Sequence, residues 1–177
     1  MTDPIDLPAG LLEELRAAYA EPPRPYHSWA HIERVLDLVR EIAWSQPAEV
    51  WLAALARDAI ARWLPDVKLD ADRVAALIEL TARHGRLTAA DVDPEAALFL
   101  DCDTAVLAAP DEEFARYDAG IAAEWAAVVT PEQYRAGRKA FLQRLLDAPR
   151  IFLSDDFHER LDAAARVNLR FALKRLA

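Results

Sequence analysis

The chain has 177 residues, 54% of them hydrophobic, with 21 Lys and Arg against 30 Asp and Glu, a net charge of −9. This composition supplies a globular core and excludes a disordered chain, and an acidic protein gains little from counterion release, so no nucleic-acid polymer is expected as partner. No apolar run approaches the ~20 residues of a membrane span, the acidic start MTDPIDLPAG lacks the basic region of a signal peptide, and the lone Cys102 has no internal disulfide partner, so the expectation is a cytoplasmic protein with no membrane contact.

Four glycines, and no sustained two-residue alternation, point to an all-α chain. The expected architecture is one domain over residues 1–177, a bundle of about seven to eight helices. A first helix fits 9–20, with Leu11, Leu12, Leu15 and Tyr19 on one side, and the prolines of EPPRP end it. Ser28 suits the N-cap of a second helix, whose stripe is Ile32, Val35, Leu36 and Val39. Pro47 opens a third helix to about Leu64, apolar on almost every side. Asp70 caps a fourth, with Val74, Leu77, Ile78 and Thr81 facing inward, which stops near His84-Gly85. A fifth runs from about Asp93 to Ala108 and a sixth over roughly 111–128. TPEQ at 130–133 offers a threonine cap, a proline at the first helical position and a glutamine three residues on, opening a seventh through Leu146. The last runs from about 156 to the C-terminus.

Polar side chains inside apolar stripes need an explanation, because burying an unpartnered charge is expensive. His31, Asp58, His84, Asp103, Arg138 and Asn168 are such residues. The spacing Leu100–Asp103–Leu107 turns Asp103 inward and Asp101 away. Each has a plain reading: a histidine hydrogen-bonded in the core, an acid or amide bridging helices, an arginine paired with one of thirty acids. Two histidines and two carboxylates on different helices would also make a ligand set for Mn²⁺, Fe or Mg²⁺ if they converge.

Five motifs occur in order: R-x-Y-H-x-x-x-H-I at Arg24–Ile32, T-x-x-H at Thr81–His84, F-L-D-x-D-x-x-x-L at Phe99–Leu107, Y-x-x-G-R at Tyr134–Arg138 and A-R-x-N-L at Ala165–Leu169. Together they resemble the metal-dependent phosphohydrolases of the HD superfamily, from residue 24 to the end. The resemblance implies an HD-domain-like helical fold and a divalent metal (Mn, Mg or Fe) acting on a small phosphorylated compound or nucleotide. Carried residue by residue, His31 is the first metal ligand, Asp58 belongs to a His-Asp dipeptide and Asp103 is the last ligand. Asp58 and His84 would take part in catalysis, and Arg24, His27 and Arg138 would hold the anion. A metal so held lowers the pKa of a bound water and polarises a phosphoryl oxygen.

The chain departs from the pattern where the dipeptide should read His-Asp, for here it is Arg57-Asp58. Arginine donates only and offers no lone pair to a metal. The acidic segment that follows the dipeptide in the family is missing, and Ala122 stands where an arginine is expected. The expectation is therefore a degenerate site, with catalysis lost and the Arg57 charge offsetting the acids in place of a metal. Two alternatives stand beside it: an active phosphohydrolase with an altered Mg or Mn site, and a non-catalytic helical domain that binds an anion or a protein.

Overall fold

The computed structural model describes residues 9–20, 24–44, 49–50, 53–54 and 70–176. Among these the protein is all-helical, with no strand. The chain divides into two compact units, Met1–Arg83 and His84–Ala177, and each is described by itself.

In the first unit, helix α1 spans Ala9–Ala20 and α2 spans Trp29–Glu41. Leu15 and Tyr19 of α1 are buried, as are Ile32, Val35, Leu36 and Val39 of α2, so the stripe read from the spacing is the packed face. Full burial of each such aliphatic side chain contributes about 1.5–3 kcal/mol. Ser28 occupies the N-cap position with extended backbone, but its side chain makes no capping bond. The His31 N–H, one of the donors that hydroxyl would have met, is taken at 3.1 Å by the Ser28 carbonyl oxygen instead. Residues 49–50 and 53–54 are helical, with Val50, Ala53 and Ala54 buried. The rest of the helix expected from Pro47 to Leu64, including Arg57 and Asp58, lies outside the described residues. Helix α3 spans Ala71–Thr81, and the Asp70 side chain caps it by accepting from the Arg73 N–H at 3.0 Å. Val74, Leu77 and Thr81 are buried on it.

The second unit begins in a tight turn. Gly85 has φ +72°, and a β-carbon there would come within 3.2 Å of Leu145 and 3.3 Å of Phe141. Both the backbone sign and the close approach call for glycine. Helix α4, Pro94–Thr104, is capped by Asp93, which accepts from the Ala96 N–H at 2.9 Å. The chain then tightens into a 3-10 turn over Ala105–Ala108. Helix α5 is Asp111–Trp125, shorter than expected, and α6 is Pro131–Asp147. The capping box expected at Thr130 and Gln133 is present in both directions. Helix α7, Asp155–Arg175, packs along the 3-10 turn and against α5 and α6. Its buried side chains include Phe157, Ala165, Leu169 and Ala172. Among the described residues, no helix is long and apolar enough to cross a membrane.

Candidate functional site

The stretch that begins at Arg24 folds into an aromatic cluster at the start of α2. His31 is buried. The Tyr26 ring lies 5.0 Å from that of His27 and 4.8 Å from that of His31, and the two imidazoles are 5.7 Å apart. The Arg24 guanidinium sits over the Tyr19 ring at 5.7 Å, a cation–π contact. Tyr26, His27 and His31 thus form one aromatic cluster in the first unit.

In the second unit, His84 and Asp103 meet. His84 Nε2 is 2.7 Å from Asp103 Oδ2, a distance at which a protonated Nε2 donates to the carboxylate. Both side chains are partly exposed, 21% and 17%. The turn that carries His84 and the last turn of α4 bring them together across nineteen positions of sequence.

Asp101 is where the spacing argument fails. It is not turned away: it is 1% exposed, more deeply buried than Asp103. Helix α4 buries Ala96, Ala97, Phe99, Leu100, Asp101 and Cys102, which is more than one stripe, so facing inward does not single out one aspartate; the count on to Leu107 also breaks where the chain leaves α-helical geometry at Ala105. Asp101 accepts from the N–H groups of Leu153 and Ser154 at 2.8 and 2.7 Å and from the Ser154 hydroxyl at 2.6 Å. Burial pushes its carboxyl up to about 6, against the pull of these three hydrogen bonds and of the His84 charge.

Asp162, which the sequence reading passed over, does the same work on the two preceding residues. Its Oδ1 accepts from the N–H groups of Ile151 and Phe152 at 2.7 and 3.2 Å. Arg166 Nε donates to its other oxygen at 2.8 Å. Burial raises its carboxyl, but the bonds from Ile151, His158, Arg166 and Phe152 outweigh that and hold it below the usual carboxylate range. The signal was available: Asp162 lies three, seven and ten residues before Ala165, Leu169 and Ala172, on their buried stripe.

The remaining motif residues also serve backbone and packing. Arg166 donates to the carbonyl oxygens of Leu146 and Ala148, at the C-terminal end of α6. Asn168 Nδ2 donates to those of Leu107 and Ala109, closing the 3-10 turn. Arg138 is buried and gives its charge to Asp118: Nε and Nη2 both donate to Asp118 Oδ1, at 3.2 and 2.9 Å. Its guanidinium lies 5.2 Å from the Tyr117 ring and 5.5 Å from that of Phe141. Burial lowers the Arg138 pKa, and Tyr117 and Asp118 together more than restore it. For Arg138 the plain reading, an arginine paired with one of the chain's acids, describes what is seen.

Among the described residues, no three His, Cys, Asp or Glu side chains come together as a group able to hold a metal ion. Of the expected ligands, His31 belongs to the first unit, Asp103 to the second, and Asp58 lies outside the described residues. No protein-family model, curated protein or solved structure matches the chain.

Proposed function

We propose that this protein is a non-hydrolysing relative of the HD-superfamily phosphohydrolases, which keeps the helical frame and binds a small phosphorylated compound without a catalytic metal. The observation that carries the reading is the His84–Asp103 contact at 2.7 Å. The resemblance makes Asp103 a metal ligand, and here an imidazole is already on its carboxylate. An oxygen that accepts an N–H has fewer lone pairs for a cation. The sequence agrees, since Arg57 stands where a ligand histidine would be and adds a positive charge beside Asp58. Arg24 and His27 supply the side chains for an anion, and the guanidinium suits a phosphate in particular because it presents paired donors.

Elemental analysis of the purified chain tests this, followed by Mn²⁺ addition against a panel of phosphate esters. The expected result is substoichiometric metal and no hydrolysis above background, with Arg57→His gaining affinity for Mn²⁺. Stoichiometric manganese or iron, together with turnover of any ester, would overturn the proposal.

A further inference from the structure

Helices α5 and α6 leave between them a groove of about 510 Å³, within the range of sites that hold a small organic ligand. We propose that this groove binds a small, uncharged, planar aromatic molecule. The inference is independent of the metal and phosphate reading, and uses none of the residues at the His84–Asp103 pair.

Three observations select the occupant. The walls are aromatic and aliphatic: Tyr117, Tyr134 and Phe141 with Ile121 and Val129, and Trp125 at the rim, 48% exposed. Flat rings stacked or edge-on against such side chains are favoured beyond the area they bury. Secondly, Arg138 is the one charged residue in the lining among the described residues, and its charge is met at 2.9 Å by Asp118. An anionic ligand would have to compete with that carboxylate and a cationic one would meet a guanidinium, so the groove suits a neutral molecule.

The third observation is Gly137, which lines the groove from the interior of α6. Glycine within a helix costs about 1 kcal/mol relative to alanine. Close packing requires it at Gly85, but a β-carbon at Gly137 would meet nothing within 4 Å, and its φ is not positive. Nothing in the described packing accounts for this glycine, whereas a ligand lying against the α6 backbone would.

The same open space supplies the test. Gly137→Leu sets its β-carbon in open space, with nothing within 4 Å, and has better helix propensity, so it should fold about as stably as the parent. Fluorescence titration of the full chain with Nile red, a neutral planar dye, should give saturable one-to-one binding, with the anionic dye anilinonaphthalene sulfonate binding more weakly. Gly137→Leu should weaken Nile red binding by roughly tenfold or more, about 1.4 kcal/mol, while the melting temperature holds or rises. Unchanged Nile red affinity in that variant would overturn the proposal, as would tighter binding of the anionic dye or absence of saturable binding. A concentration-dependent dimer abolished by Gly137→Leu would also overturn it, giving the groove to a second copy. Should Gly137→Leu fail to fold, Trp125→Ala, at the exposed rim, should weaken Nile red binding several-fold, and unchanged binding there would be equally decisive against it.

Discussion

The segment 151–154 is held from two sides, and the two sides differ. From α4, Asp101 takes the N–H groups of Leu153 and Ser154; from α7, Asp162 takes those of Ile151 and Phe152. Four consecutive amides are thus satisfied by two carboxylates. Yet the first carboxyl is pushed up to about 6 and the second is held low. The backbone donors are alike, so they do not make the difference. Asp162 has Arg166 beside it at 2.8 Å, with a full positive charge; the hydroxyl that Ser154 gives Asp101 is neutral. Burial is the largest influence on both carboxyls and prevails at Asp101, whereas at Asp162 the His158 and Arg166 side chains join the backbone donors and tip the balance to the ionised form.

The harshest way to break this comparison is to delete the unpaired side. Asp101→Ala leaves two buried N–H groups and the Ser154 hydroxyl without their acceptor, at about 1–3 kcal/mol each, so the loss should be on the order of 4 kcal/mol. Urea denaturation at pH 5 is the measurement. The deficit should be largest near pH 4, shrink as the pH rises to about 6 and stay level above that, because the parent comes to carry the cost of a buried charge that the variant lacks. A loss under about 1 kcal/mol at pH 5 would mean the segment finds other acceptors.

The pH dependence of the parent sharpens the comparison. Asp101 has its folded pKa raised from 3.8 to about 6. The folded state therefore holds the proton more tightly than the unfolded one, and stability falls as the pH rises from about 4 to about 6. The shift corresponds to roughly 3 kcal/mol. Asp162 has the opposite sign: its contribution is present above the ordinary carboxylate pKa and is lost as the pH falls through its lowered value. Asp101→Asn should flatten the upper limb between pH 4 and 6 and leave the acid limb in place. Chemical denaturation at several pH values separates the two.

Arg166→Met should make the two sides alike. It removes the cation beside Asp162 and the donors to Leu146 and Ala148, with an expected loss of about 2 kcal/mol. The Asp162 carboxyl should then titrate higher, which NMR titration of its side-chain carbon would report. If it stays low, the backbone N–H groups and His158 are enough to keep it ionised.

What could be read in the sequence follows the range of the interaction. The caps at Asp70, Asp93 and Thr130 act within three residues, so local spelling sufficed for them. The stripes of α2 and α3 followed from periodicity. Ser28 takes the N-cap position expected of it but makes no side-chain bond there, because its own carbonyl oxygen takes the amide that its hydroxyl was expected to meet. Asp101 was misplaced because a stripe assumes one buried face, and α4 buries Phe99, Leu100, Asp101 and Cys102 in succession; the 3-10 turn at Ala105 also breaks the count before Leu107. The 101-to-154 clamp spans more than fifty residues, and no local pattern encodes it. The candidate site was legible only in part, since its histidines and acids could be named but their meeting depends on tertiary placement.

The smallest effect is expected at Asp103, two residues from Asp101 on the same helix. Its side chain is partly exposed, and its contact with His84 is one that an amide oxygen can also accept. Asp103→Asn should therefore change stability by less than about 1 kcal/mol, against a severe loss for Asp101→Ala. The two aspartates look interchangeable in F-L-D-x-D, so this pair of variants asks which one the fold depends on. A scaffold acid is sensitive to deletion and has no bearing on ligands. A site acid is the reverse: Asp103→Asn should leave the melting curve almost unmoved, yet alter the Mn²⁺ affinity gained by Arg57→His. If Asp103→Asn unfolds the protein as readily as Asp101→Ala, then the His84–Asp103 contact is part of the scaffold. The reading of Asp103 as a remnant metal ligand would then fall with it.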